Sequence, residues 1–159
     1  MKRNLGIDGS RLWASLMDMA KIGATAKGGN ARLAASDLDR DGRNLFVRWA
    51  KEAGCTVSVD RIGNIFIRRA GRDPRKAPVV TGSHLDTQPT GGRFDGIYGV
   101  LAAFEALEAL VESSRKPRNA FIVAQVERHQ RETLFGHAFR KPANLGAVEQ
   151  QLARSHRFM

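Results

Sequence analysis

The 159 residues are 42% apolar, enough for one domain with a real core, and the single cysteine, Cys55, excludes an internal disulfide and a cysteine-rich metal site. A net charge of +10 raises a nucleic-acid reading, but residues 1–114 carry 17 basic and 13 acidic side chains and residues 115–159 carry 9 and 3, so the excess sits in the tail. That tail lacks interleaved aromatics and helix-turn-helix or zinc-finger spacing, so no nucleic-acid partner is expected, and without a run of about 18 apolar residues or a signal-like start the sequence predicts a soluble cytoplasmic protein and no membrane partner.

In chain order, Asp8 or Ser10 can cap a first helix in which Leu12, Trp13, Leu16, Met17 and Ala20 recur at helical spacing before Gly23. A glycine-containing loop follows at Lys27 to Asn30. Ser36 or Asp37 then opens a second helix with Leu45, Phe46, Trp49 and Ala53 facing inward and Gly54 as its stop. The aromatics of both helices read as core. Beyond Gly54 the period falls to 2: Cys55, Val57 and Val59 alternate with polar residues, and Ile65 and Ile67 follow Gly63-Asn64, which predicts a β-hairpin. Cys55 itself reads as a small buried apolar side chain. A basic loop from Arg68 to Pro78 leads to a short strand at Val79 to Thr81. An amphipathic helix is predicted over Gly96 to Glu112 and a last strand over Phe121 to Val126. Strand, loop, helix and strand form a βαβ unit, so the class is α/β.

The loop of that unit, "TGSHLDTQPTGGRFDGIYG", gathers the chemistry. His84 and Asp86 lie two apart just past a strand, where an extended backbone points both side chains to one side. Imidazole beside carboxylate reads either as a metal ligand with its orienting partner, or a tuned base, or as a surface salt bridge next to a turn. Asp95 sits at the foot of the next helix, where an open α/β sheet places its ligands, and alternatively reads as that helix's N-cap. Gly91, Gly92, Gly96 and Gly99 let the backbone turn sharply and come close to a metal or substrate. The donor types suit zinc, with further ligands needed from elsewhere.

The run "GSHLDTQPTGGRFDGIYGVLAAFEAL", preceded by "RLWASLMDMAKIGAT" and "LFVRWAKEAGCTVSVDRIGNIFIRRAG", closely resembles the zinc-dependent amidohydrolases that include N-carbamoyl-L-amino-acid hydrolases, allantoate amidohydrolases and β-ureidopropionases. The resemblance covers about residues 8–112. It implies the N-terminal part of a zinc-aminopeptidase-like (phosphorylase/hydrolase-like) catalytic domain, incomplete, over residues 1–126. It further implies His84 as a ligand of one metal, Asp95 as the carboxylate bridging two metals, and Asp86 as the catalytic aspartate that orients and polarises His84. The cofactor it implies is Zn²⁺, two ions per site, with Mn²⁺, Co²⁺ or Ni²⁺ as substitutes. The implied reaction is attack of a metal-bound hydroxide on a ureido or amide carbonyl, with a glutamate as general base. The resemblance also implies a small ureido or N-carbamoyl amino-acid substrate and a homodimer formed through a lid domain.

Where the family carries a Trp-Thr-Asn-Glu-Glu-Gly-like motif, this sequence reads "FIVAQVERHQRETLFGHAFRK". Glu127 and Glu132 are not adjacent and neither precedes glycine; His129 and His137 take no role. Read one nucleotide downstream, the codons permitted at His129 to Glu132 include Thr-Asn-Glu. Residues 127–159 are therefore expected to be a basic, frameshifted or truncated tail, the lid to be absent, and the chain to have little or no hydrolase activity. A metallo-aminopeptidase-like peptidase shares the His-x-Asp pattern, but the "TQPTGGRFDG" loop favours the ureido-acid branch. The reading outside enzymes is a basic interaction or nucleic-acid-binding module, and a third is a product without function.

Overall fold

The computed structural model describes residues 5–114 and 116–126. Three helices and four strands follow in the order α1 (Gly9–Lys21), α2 (Asp37–Glu52), β1 (Thr56–Val59), β2 (Ile65–Arg69), β3 (Val79–Ser83), α3 (Ile97–Glu112) and β4 (Phe121–Gln125).

Local chemistry sets the boundaries. The Asp8 carboxylate accepts from the backbone N–H of Ser10 at 2.9 Å and of Arg11 at 3.0 Å, which satisfies otherwise orphaned donors and starts α1. Ser36 Oγ does the same for Asp39 N–H at the start of α2. Gly54, at φ +70°, turns the chain out of α2 and into the hairpin. In the hairpin turn the Asp60 carboxylate accepts from the backbone N–H of Ile62 and Asn64, and β1 and β2 pair antiparallel with Val57 opposite Ile67.

The sheet order is β1-β2-β4-β3. β4 runs antiparallel to β2 and parallel to β3, so β3-α3-β4 is the expected βαβ unit, with Thr81 beside Val123 and Ser83 beside Gln125. The main core lies between helices and sheet. Leu16 and Met19 of α1, Phe46 and Ala50 of α2, and Val100, Leu101, Phe104 and Leu107 of α3 pack with Ile65, Ile67 and Val123. Phe66, Ile122 and Ala124 point to the opposite face and cluster there with Val80, as the period of 2 requires. Phe46 and Phe104 meet edge to face, 5.8 Å between centroids.

Three details depart from the sequence reading. Strand β2 runs on to Arg69 and β3 to Ser83, because both continue their ladder with β4. Trp13, placed on the apolar face of α1, is 57% exposed; Leu12, Leu16 and Met19 define the inward stripe at i, i+4 and i+7, and Trp13 falls beside it, against Phe94. Cys55 is half-buried rather than buried, and desolvation pushes its thiol pKa up.

Candidate active site

His84 is the first residue beyond β3, at the C-terminal edge of the parallel pair β3 and β4. Its side chain is 1% exposed and that of Asp86 7%, so the pair is not a surface salt bridge. The extended backbone brings both to one side, as the spacing predicts: His84 Nδ1 lies 2.8 Å from the Asp86 carbonyl oxygen and 3.4 Å from its Oδ1. A carbonyl oxygen can only accept, so Nδ1 carries the proton and donates it, and the neutral ring keeps its lone pair on Nε2. That nitrogen is buried and no described group hydrogen-bonds to it. The Asp86 carboxylate holds the His84 imidazole above the ordinary histidine pKa, against the opposing pull of burial.

Asp95 stands in the turn leading to α3, exposed, with its backbone N–H bonded to the Gly92 carbonyl. The alternative reading of Asp95 as N-cap does not hold: Gly96 occupies that position and α3 has no side-chain cap. Gly96 lies flat against the imidazole. A Cβ there would sit 2.5 Å from both Nδ1 and Nε2 of His84, and the residue adopts φ +74°. The carboxylate of Asp95, one residue away, lies within electrostatic range of the ring and raises its pKa further. Thus the single loop from β3 to α3 carries all three candidate residues at one end of the sheet. Gly99, one turn into α3, permits the close approach behind them, since a Cβ would sit 2.8 Å from that of Ser83.

A brace that the sequence reading passed over as loop holds this end together. Asn30 is fully buried; its Nδ2 donates to the Ala20 and Ile22 carbonyls, and its backbone exchanges two hydrogen bonds with Gly91. Arg32, also fully buried, donates from Nε and Nη2 to the Leu85 carbonyl and from Nη1 to those of Met19 and Ile22. Its backbone N–H donates to Thr87 Oγ1, and its carbonyl accepts from Thr87 N–H. The sequence signal was an asparagine and an arginine two apart in a stretch rich in glycine and alanine.

A buried, unpartnered Nε2 with its tautomer fixed from behind is the arrangement of a histidine metal ligand. His84 therefore fits as one ligand, with Asp95 as a nearby oxygen donor. Among the described residues no three His, Cys, Asp or Glu side chains gather as a metal site, so these residues do not complete one. Glu127, His129, Glu132 and His137 lie outside the described residues. No described helix is long and apolar enough to cross a membrane.

No protein-family model matches the sequence. An N-carbamoyl-L-amino-acid amidohydrolase of Rhizobium meliloti is 48% identical over 120 residues, 76% of this chain and 29% of that protein. A ureidoglycolate hydrolase of Oryza sativa is 30% identical over 149 residues, 94% of this chain and 30% of the relative, so that alignment reaches past residue 126. A solved structure of a hydantoinase/carbamoylase family amidase from Burkholderia multivorans superposes with a TM-score of 0.78 at 52% identity, covering 86% of this chain and 35% of that one. The aminopeptidase PepT of Bacillus cereus, at 16% identity and a TM-score of 0.58 over 85% of this chain and 40% of its own, shares the fold alone. The chain spans between 21% and 30% of the length of these and other curated relatives it matches. Among its homologues and structural neighbours are proteins named N-carbamoyl-L-amino-acid amidohydrolase, allantoate amidohydrolase, ureidoglycolate hydrolase and hydantoinase/carbamoylase family amidase.

Proposed function

We propose that this chain carries part of the site of a cytoplasmic, metal-dependent amidohydrolase acting on the C–N bond of N-carbamoyl amino acids or related ureido acids, and that alone it has little or no activity. The observation that carries the reading is the His84 imidazole, buried, with Nδ1–H committed to Asp86 and the Nε2 lone pair without a partner. His84 would hold one zinc through Nε2 and Asp95 would offer its carboxylate between two. When bound, zinc supplies a Lewis acid for the carbonyl and lowers the pKa of water. Asp86 keeps the Nδ1 proton in place, which fixes the ring orientation and raises its basicity as a ligand. The small ureido or carbamoyl substrate class follows the names of the relatives.

The proposed inactivity rests on the donor set. Two ligands hold zinc weakly, since structural and catalytic sites use three or four protein ligands. The sequence also lacks adjacent glutamates followed by glycine to serve as general base. The test uses the purified 159-residue chain with zinc, manganese, cobalt or nickel and an N-carbamoyl amino acid or allantoate. No product release is expected, and metal-dependent turnover would refute the inactivity. Zinc titration by calorimetry should show weak binding that His84→Ala abolishes; binding indifferent to that change would remove His84 as a ligand. Translating the coding DNA past codon 126 in all three frames tests the frameshift. A shifted frame supplying Thr-Asn-Glu and a long continuation supports it, and closed frames refute it.

A further inference from the structure

Arg32 is the largest fully buried side chain among the described residues, and its guanidinium hydrogen bonds go to backbone carbonyls rather than to a carboxylate. Burying a guanidinium in that way is expensive, and an apolar side chain of similar volume would fill the space more cheaply. The rest of the fold makes room for it. Gly42, in the interior of α2 where glycine is unfavourable, would place a Cβ 2.8 Å from Arg32 Cδ. The charge balances at longer range: Asp39 of α2 and Asp86 are the carboxylates that act on Arg32, while burial pulls its pKa down.

What Arg32 grips is informative. Two of its donors, Nε at 3.0 Å and Nη2 at 2.8 Å, converge on the Leu85 carbonyl, the peptide oxygen between His84 and Asp86. Its own backbone closes on Thr87 at 2.7 Å and 2.6 Å, one residue beyond Asp86. Nη1 ties the same side chain to the end of α1 through the Met19 and Ile22 carbonyls. The peptide planes from Leu85 to Thr87 are thereby fixed against α1, and those planes aim the Asp86 carbonyl at His84 Nδ1. Gly96 packs on the imidazole, since a Cβ there would lie 2.5 Å from both ring nitrogens.

We propose that Arg32 is a positioning residue for the His84–Asp86 pair: by clamping the Leu85 carbonyl and the Thr87 backbone it sets the Nδ1–H tautomer of His84 and leaves the Nε2 lone pair available to a ligand. The purpose rests on the reading of His84 as a metal ligand, whereas the tautomer belongs to the metal-free chain and is measured without metal. Arg32 is enclosed by the backbone of α1 and of the loop after β3. Its effect passes through the backbone.

The test is long-range ¹⁵N–¹H correlation of the histidine side chains in the metal-free, full-length chain at alkaline pH, with His84 assigned by His84→Gln. Wild type should show one tautomer with the proton on Nδ1; an Nε2–H tautomer would overturn the proposal. Arg32→Met should bring the two ring nitrogen shifts toward each other as tautomers mix. Phe66→Leu, which weakens the separate cluster on the opposite face of the sheet, should lower the melting temperature and leave the His84 pattern unchanged. A folded Arg32→Met protein with the wild-type pattern would make Arg32 merely structural. Should Arg32→Met not fold, Arg32→Lys, which keeps the charge and loses the fork, is read by the same criterion. Should neither fold, the wild-type chain decides: a coupling across the hydrogen bond from Arg32 Nε–H to the Leu85 carbonyl is expected, and its absence refutes the clamp. Zinc titration separates the two layers. If wild type binds no zinc through His84 but keeps the tautomer, the metal reading fails and the clamp stands; if both hold, Arg32→Met should weaken that binding about 10- to 100-fold.

Discussion

Gly96→Ala isolates the contact that seats His84. The residue sits at φ +74° and ψ −48°, close to the rare three-residue turn conformation that strains any residue with a Cβ. Holding alanine there costs about 1–3 kcal/mol. The added methyl would also lie 2.5 Å from two ring nitrogens, and displacing a fully buried imidazole adds an overpacking cost of about 1–3 kcal/mol. Together these give a loss of roughly 2–6 kcal/mol, a large part of the ~5–15 kcal/mol that stabilises a typical domain.

Urea unfolding followed by far-ultraviolet circular dichroism measures it. Gly92→Ala is the internal control, because Gly92 has open space around its missing Cβ and no positive φ; its change should stay within about 0.5 kcal/mol. The two contributions separate in a cycle with His84→Ala. Removing the ring relieves the clash but not the backbone strain, so a coupling of about 1–3 kcal/mol is expected between the two changes. A Gly96→Ala protein within about 0.5 kcal/mol of wild type, or a cycle with no coupling, would refute the packing of Gly96 on His84.

Three further outcomes follow from other parts of the fold. Arg11 bonds Glu105 through Nε and Nη2 and also reaches Glu108 and Glu112; because Glu105 is 2% exposed, Arg11→Met should cost about 3–5 kcal/mol in urea unfolding, and a loss under about 1 kcal/mol would show that Glu105 is satisfied without it. Burial holds Glu108 above the ordinary glutamate pKa, against Arg11. The folded chain therefore keeps that proton to higher pH than the unfolded chain, and the group's contribution to stability falls as pH rises from the ordinary glutamate value through the raised one. Glu108→Gln should gain on wild type above that window and lose the gain below it, which urea midpoints across acid to neutral pH will show; a pH-independent difference contradicts the assignment. Trp13 leans on Phe94 with centroids 6.0 Å apart, so in a Trp49→Phe background Phe94→Ala should red-shift Trp13 emission and cost less than about 1 kcal/mol, while unchanged emission would deny the contact.

Elements with strong local signals were legible in the sequence. The Asp8 and Ser36 caps, the Gly54 stop and the change of period after it each depend on a few neighbouring residues, and α1, α2 and the β1–β2 hairpin form where those residues place them. The βαβ unit was legible for the same reason, as was the common side of His84 and Asp86. Strand ends were less so. Whether β3 continues through Gly82 and Ser83 depends on the pairing with Ala124 and Gln125 across about 40 intervening residues, and no local pattern carries that information. Trp13 misled because periodicity admits it to the edge of the apolar stripe, and only the place of α3 decides on which side the stripe ends.

Arg32 shows the limit most plainly. An arginine in a glycine-rich stretch reads as a solvated charge, since arginine is among the residues most often exposed. Its burial follows from three facts distant in sequence: α1 ends with the Met19 and Ile22 carbonyls within reach of the guanidinium, the loop after β3 presents the Leu85 carbonyl, and α2 omits a side chain at Gly42. Each taken alone reads as something ordinary: a frayed helix end, a loop peptide, a weak helix position. Brought together they leave three buried acceptors around one cavity, and a planar group with several donors satisfies all of them while a lysine satisfies fewer. The groups that carry the proposed chemistry, His84, Asp86 and Asp95, are thus recognisable as a local cluster. The residue that fixes the peptide between His84 and Asp86 becomes recognisable only once α1, α2 and the strand end share one corner of the fold.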